Sequence, residues 1–149
     1  MVLLAAFQLL LGRYSQQHDL AVAVPSAGRR QVEFEPLIGL FANTLVLRAN
    51  LEGQPSFAEL LGRTRQASLL AYDHEELPFE KVVEAVAPER HLNHNPLAQV
   101  LFQLQHANQG PPSLGPLQLE PMPSPSQRTR FDLEMHLVAC PQGLQGTCI

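Results

Sequence analysis

Apolar positions along the chain follow two periods. From Val2 to Tyr14 they recur at helical spacing, with Leu3, Phe7, Leu10 and Tyr14 on one stripe and Leu4 and Leu11 beside it. Apolar residues cover most of this helix, so it needs cover on more than one side. After Asp19 the pattern changes. Leu20-Ala21-Val22-Ala23-Val24, closed by Pro25, reads as a strand buried on both faces. Ser26 to Arg30 is loop-like, and Gln31 to Pro36 is polar and irregular. Thr44 to Arg48 alternates and is rich in strand formers.

Gly53 and Pro55 then punctuate the chain. Ser56 and Glu59 have capping-box spacing, so a helix is expected over 57–72. Its inner positions are Phe57, Leu60, Leu61, Thr64, Ala67, Ser68 and Ala71. A shorter helix is expected over 78–87, opened by Pro78 and stopped by Pro88, with Phe79, Val82, Val83 and Val86 inward. Residues 97–105 alternate as a strand. Gly110 to Pro125 holds six of the thirteen prolines and reads as a long loop, because proline neither donates to a ladder nor continues a helix. Phe131 to Leu137 alternates as a strand with one wet and one dry face, and 143–149 resembles a hairpin return. The expected fold class is mixed α/β, with helices packed on a sheet.

Composition narrows the function classes. The 149 residues are 45% hydrophobic and 16% charged, enough apolar content for one folded domain. Ten basic residues against fourteen acidic ones give a net charge of -4, and Arg29-Arg30 is the longest basic run. A nucleic-acid footprint is therefore absent. No apolar stretch is long enough to span a bilayer. The first eleven residues resemble a signal-peptide core, with Ala21-Val22-Ala23 as a cleavage site. No positive charge precedes them, Gln8 interrupts them, and a buried helix fits better. The chain ends on Thr147-Cys148-Ile149 without a stop signal, the pattern of a truncated domain.

Generic catalytic signatures are missing: no nucleophile elbow, phosphate loop or dinucleotide fingerprint occurs. His74-Glu75-Glu76-Leu77-Pro78 starts like a zinc-protease helix but lacks the second His, and Pro78 sits where the helix would continue. His91 and His94 lead into Asn95-Pro96, which is turn chemistry, so no metal site is expected. Cys140 and Cys148 have the spacing to pair across a hairpin, but two free thiols are expected in a cytosolic protein.

Three segments carry a family resemblance. Ile38-Gly39-Leu40-Phe41-Ala42-Asn43-Thr44-Leu45, continuing to Arg48, resembles a core motif of condensation domains from nonribosomal peptide synthetases, with Ala42 in place of Val. His74-Glu75-Glu76-Leu77-Pro78-Phe79-Glu80 resembles the next motif, His-Gln-Asp-x-Pro-Phe-Glu, and departs from it at Glu75 and Glu76. Arg90 to Leu97 resembles the last, matching at Arg90, Asn95, Pro96 and Leu97 and departing at His91, Asn93 and His94. The motif residues Gly39, Phe41, Asn43, Thr44, Arg48, His74, Pro78, Phe79, Arg90, Asn95 and Pro96 are the candidate site. Each also has a purely structural reading. Gly39 gives backbone freedom beside Phe41, Asn43 satisfies backbone groups where a strand begins, and Arg48 pairs with a carboxylate on a rim. Pro78-Phe79 starts a helix, and Asn95-Pro96 makes a turn.

The resemblance implies a chloramphenicol-acetyltransferase-like two-layer sandwich, of which residues 1–149 are the C-terminal half only. It implies peptide-bond formation between aminoacyl or peptidyl thioesters held on phosphopantetheine arms, with no cofactor bound directly. Implied partners are the missing N-terminal half, peptidyl or acyl carrier proteins and an adenylation domain in cis, in the cytoplasm. Asn43-Thr44 favours ordinary condensation over the heterocyclising or epimerising subtypes. The family's His-His-x-x-x-Asp-Gly motif is absent from the sequence, so no catalytic residue is assigned and the chain is expected to be inactive alone. The proline-rich loop is the candidate for a segment that crosses between halves and floors the channel. Two other readings stay open: a non-catalytic interaction remnant, or another acyltransferase of the same fold.

Overall fold

The computed structural model describes residues 1–86, 94–106, 115, 117, 122 and 129–149. Arg90, His91 and nearly all of the 110–125 loop lie outside the described residues. Helix α1 (Val2–Ser15) leads into strand β1 (Asp19–Ser26), then β2 (Asn43–Asn50), α2 (Phe57–Asp73), α3 (Phe79–Val86), β3 (Val100–His106), β4 (Leu133–Cys140) and β5 (Gly143–Cys148). Between β1 and β2 the polar stretch holds one 3-10 turn, Val32–Phe34.

The five strands form one mixed sheet in the order β2-β1-β3-β4-β5. β1 pairs antiparallel with β2 over eight residues, from Asp19 opposite Asn50 to Ser26 opposite Asn43. β1 and β3 run parallel but pair only at Val22–Val100 and Ala23–Leu101. β3 and β4 are parallel, and β4 and β5 close a tight hairpin. Pro25 sits inside β1 rather than ending it. The ladder with β3 has already stopped there, so its missing N–H leaves no gap on that side.

α1 and α2 cover one face of the sheet. Leu4 and Phe7 of α1 pack with Val22, Val24, Leu47 and Phe102, and with Met135 and Leu137 at the margin. The Phe7 and Phe102 rings lie 5.5 Å apart. A second cluster joins Ala5, Leu20, Ala49, Leu51 and Leu60. The expected stripe of α1 is displaced. Leu10 and Tyr14 are exposed, while Leu4, Ala5, Phe7, Gln8 and Gly12 are buried. Gln8 tolerates burial because the Thr64 hydroxyl donates to its Oε1 at 3.0 Å. In α2 the capping box forms as expected, and Leu60, Thr64 and Ser68 face inward, but Phe57 is exposed. Val86 at the end of α3 is exposed too.

Two strand starts move for local reasons. Leu97 has a φ of 66°, a left-handed conformation that does not join a ladder, so β3 begins at Val100. Before β4, the Glu134 carboxylate accepts the N–H groups of Arg130 (2.7 Å) and Phe131 (3.3 Å), and the strand starts at Leu133. Glu134 is itself buried, although alternation placed it on the wet face. Burial alone would push its carboxyl up. The Arg130 N–H, the His136 ring at 2.8 Å and the Phe131 N–H outweigh that and hold it below the usual carboxylate range. Cys140 lies opposite Gly143 and Cys148 opposite Met135, so the two thiols are far apart along the hairpin and both are free.

Candidate functional site

Two of the three motifs meet at the carboxyl end of β1. The meeting point is Asn43, the first residue of β2. Its Nδ2 donates to the carbonyls of Glu75 and Leu77, each at 2.8 Å. Its Oδ1 accepts the N–H of Thr44 at 2.9 Å and of Phe79 at 3.1 Å. One amide thus holds the turn between α2 and α3 against β2 and caps the first N–H of α3. Pro78 stands just outside that helix, and its carbonyl accepts from Lys81 and Val82.

Beside this junction lies a cleft of about 430 Å³, lined among others by Phe34, Phe41, Asn43, Thr44, Pro78 and Phe79. Its aromatic wall belongs to the loop between β1 and β2. The Phe34 and Phe41 rings stack at 5.8 Å, and the Arg29 guanidinium lies 4.5 Å from the Phe41 ring centre. Arg29 also donates to the Phe34 and Glu35 carbonyls. Gly28 makes this packing possible: its φ is +64°, and a Cβ there would stand 2.0 Å from the Phe41 carbonyl oxygen. Gly39 is constrained less; a Cβ would meet the edge of the Phe41 ring at 3.0 Å.

The floor of the cleft carries a polar cluster. Ser26, buried at the end of β1, accepts the Gly28 N–H at 3.3 Å and donates its hydroxyl to Glu75. Arg30 approaches the other Glu75 oxygen at 3.5 Å and Glu76 at 4.0 Å. Sequence reasoning missed Ser26, Gly28, Arg29, Arg30 and Phe34 as site residues. The available signals were the lone Arg29-Arg30 pair and the acidic departure at Glu75.

Other motif residues lie elsewhere. Arg48 makes a two-pronged pair with Asp19 at the opposite end of the β1–β2 ladder, roughly 23 Å away at about 3.3 Å per strand residue. Hydrogen bonding to Arg48 holds the Asp19 carboxyl below its ordinary range, and both groups are exposed. Asn95 donates to the Arg130 carbonyl and the Pro96 carbonyl accepts from Ala98, so both shape the turn ahead of β3 and β4. His74 ends α2, where its N–H donates to Ala71 and its carbonyl accepts from Leu77. It does not line the cleft. Among the described residues, no group of His, Cys, Asp and Glu is arranged to hold a metal ion, and no helix is long and apolar enough to cross a membrane.

The mixed sheet with helices on one face, and two motifs joined by one asparagine, define a module of the condensation type. A family model described as the condensation domain matches residues 1–147, and the chain belongs to that family. It is 46% identical over 149 residues to part of the linear gramicidin synthase of Brevibacillus parabrevis, covering 99% of this chain and 2% of that protein. Over 137 residues it is 46% identical to the isonitrile lipopeptide synthase of Mycobacterium tuberculosis, covering 92% of this chain and 6% of the relative. Among solved structures, the X-domain from teicoplanin biosynthesis superposes with a TM-score of 0.87 at 27% identity, over 99% of this chain and 34% of that one. The same X-domain is also known in complex with OxyB, with a TM-score of 0.83 over 99% of this chain and 32% of that one. The chain thus spans a few per cent of its curated relatives and about a third of these structures.

Proposed function

We propose that the chain is the C-terminal part of a condensation domain in a peptide synthetase. In the parent domain, a donor acyl or peptidyl group and an acceptor amine arrive as thioesters on the phosphopantetheine arms of carrier proteins, with an adenylation domain in cis. The acceptor nitrogen attacks the donor carbonyl. The C–N bond forms, the C–S bond breaks, and the amine proton ends on the released thiol. The sequence contains no His-His pair, so the group that handles that proton lies outside this chain, and the chain alone does not catalyse. Its contribution is a rigid wall built by Asn43, Phe41, Pro78 and Phe79 around the motif cleft. The proline-rich loop crosses to the other half, and the setting is cytoplasmic.

The observation that carries this reading is the four-bond junction at Asn43, which makes one structural unit of two segments matching the family's motifs. The test is reconstitution. Donor- and acceptor-loaded carrier proteins are mixed with the chain alone and with the chain joined to an N-terminal condensation subdomain bearing the histidine motif. Amide product is expected only in the second mixture. Product from the chain alone overturns the assignment.

A second reading has its own support. The X-domain, which superposes here, is known in complex with another protein. On that reading the chain belongs to an interaction module that recruits a partner enzyme. A joined domain that folds, makes no amide and retains a partner enzyme would decide for it.

A further inference from the structure

Glu75 is tied to three segments. The Ser26 hydroxyl at the end of β1 donates to one carboxylate oxygen, and Arg30 stands 3.5 Å from the other. Its main-chain carbonyl accepts from Asn43 in β2. Its side chain is only 11% exposed, against 81% for neighbouring Glu76. Such a carboxylate, nearly removed from water, needs a counter-charge far more than a solvated one does.

The counter-charge comes from the loop that carries the aromatic wall. Residues 27–42 are stacked on themselves through Arg29, Phe34 and Phe41. Their outer apolar side chains do not hold them down: Val32, Ile38 and Leu40 are almost fully exposed. Among the described residues, the loop's polar ties to the α2–α3 turn run through Arg30, to Glu75, Glu76 and the Asp73 carbonyl at 3.3 Å.

We propose that Glu75 is the positioning residue of the cleft. Its negative charge draws Arg30 across the turn and so fixes the 27–42 loop, with the Phe34–Phe41 wall, at the edge of the cleft. In the resembled motif this position carries Gln, which would satisfy Ser26 but not Arg30; here acid and arginine are matched. The inference goes beyond the acyl-transfer reading and does not depend on it.

Backbone exchange tests it without turnover. Hydrogen exchange is followed by mass spectrometry on the chain and on Glu75→Gln, Arg30→Gln, the double variant and Glu76→Gln. Each of the first two single changes should speed exchange in peptides covering 31–42 by roughly three- to tenfold, the range for losing one partly buried ion pair. The double variant should exchange no faster than either single one. Glu76→Gln should match the parent, and peptides holding Leu45 or Leu133 should be unchanged throughout. A charge-exchanged variant, Arg30→Glu with Glu75→Arg, should recover part of the protection. The proposal is overturned if Glu75→Gln leaves 31–42 unaltered, if the two single effects multiply, or if Leu45 and Leu133 loosen equally. Because no product is measured, a failed reconstitution and a failed exchange experiment are separate results.

Discussion

Replacing Asn43 tests whether one amide holds the site together. Asn43→Ala removes four hydrogen bonds, to Thr44, Phe79, Glu75 and Leu77. Each is worth about 0.5–1.5 kcal/mol net. Asn43 is only half-buried, so water replaces part of the set, and the loss should be about 2–3 kcal/mol. For a chain of this length that lowers Tm by about 4–12 °C. Asn43→Asp is the sharper probe. One carboxyl oxygen still accepts from Thr44 and Phe79, but the other faces two carbonyls with no hydrogen to give. The ionised form is disfavoured there, so the folded-state pKa of the introduced carboxyl rises above its ordinary value of about 3.9. A group whose pKa is raised on folding favours the fold below its unfolded value, and that advantage is lost as pH rises. Asn43→Asp should therefore be at least as unstable as Asn43→Ala at neutral pH and gain on it towards about pH 4. Urea unfolding of parent and both variants across pH, followed by circular dichroism, reads this directly. If Asn43→Ala lies within about 0.5 kcal/mol of the parent, the scatter of ordinary surface changes, the junction does not stabilise the site.

Two further outcomes follow from the core and from the second buried carboxylate. Leu60 is 1% exposed between α2, α1 and β2, so Leu60→Ala should cost about 2–5 kcal/mol in chemical unfolding. Glu134, held below the usual range, contributes stability above the ordinary carboxylate pKa that is lost as pH falls through its lowered value. Glu134→Gln should therefore be less stable than the parent at neutral pH and flatten the acid side of the stability profile; an unchanged acid limb would show that the carboxylate is not the group titrating.

The sequence was most legible where the physics is local. Ser56 and Glu59 sit three residues apart, and the capping box they imply forms. Alternation in 44–48 marked β2, and Leu45 and Leu47 are buried. Reading failed where a distant partner decides. Gln8 looked like an interruption, yet Thr64, far along the chain, satisfies it and lets α1 turn a different stripe inward, leaving Leu10 and Tyr14 outside. Glu134 belonged to the wet face by alternation until backbone donors from 130–131 and His136 made burial tolerable. The site behaved likewise. The motifs pointed to Asn43, Phe41 and Phe79, but Arg30 and Ser26 became visible only when folding placed them on Glu75. Arg48 and Asn95, grouped with the others by motif, are parted from the cleft by the length of a strand.

The two-pair ladder between β1 and β3 makes the sheet a pair of wings joined at a narrow seam. The left wing, β2 with β1, has eight cross-strand pairs and is built from neighbouring sequence. The right wing, β3 to β5, has its own full ladders. Little backbone bonding crosses between them, so side chains carry the joint: Phe7 on Phe102, with Leu4 alongside. α1 works as a splint laid across a fracture. Loosen that helix and the wings become separate cooperative units, each able to open while the other keeps its strands.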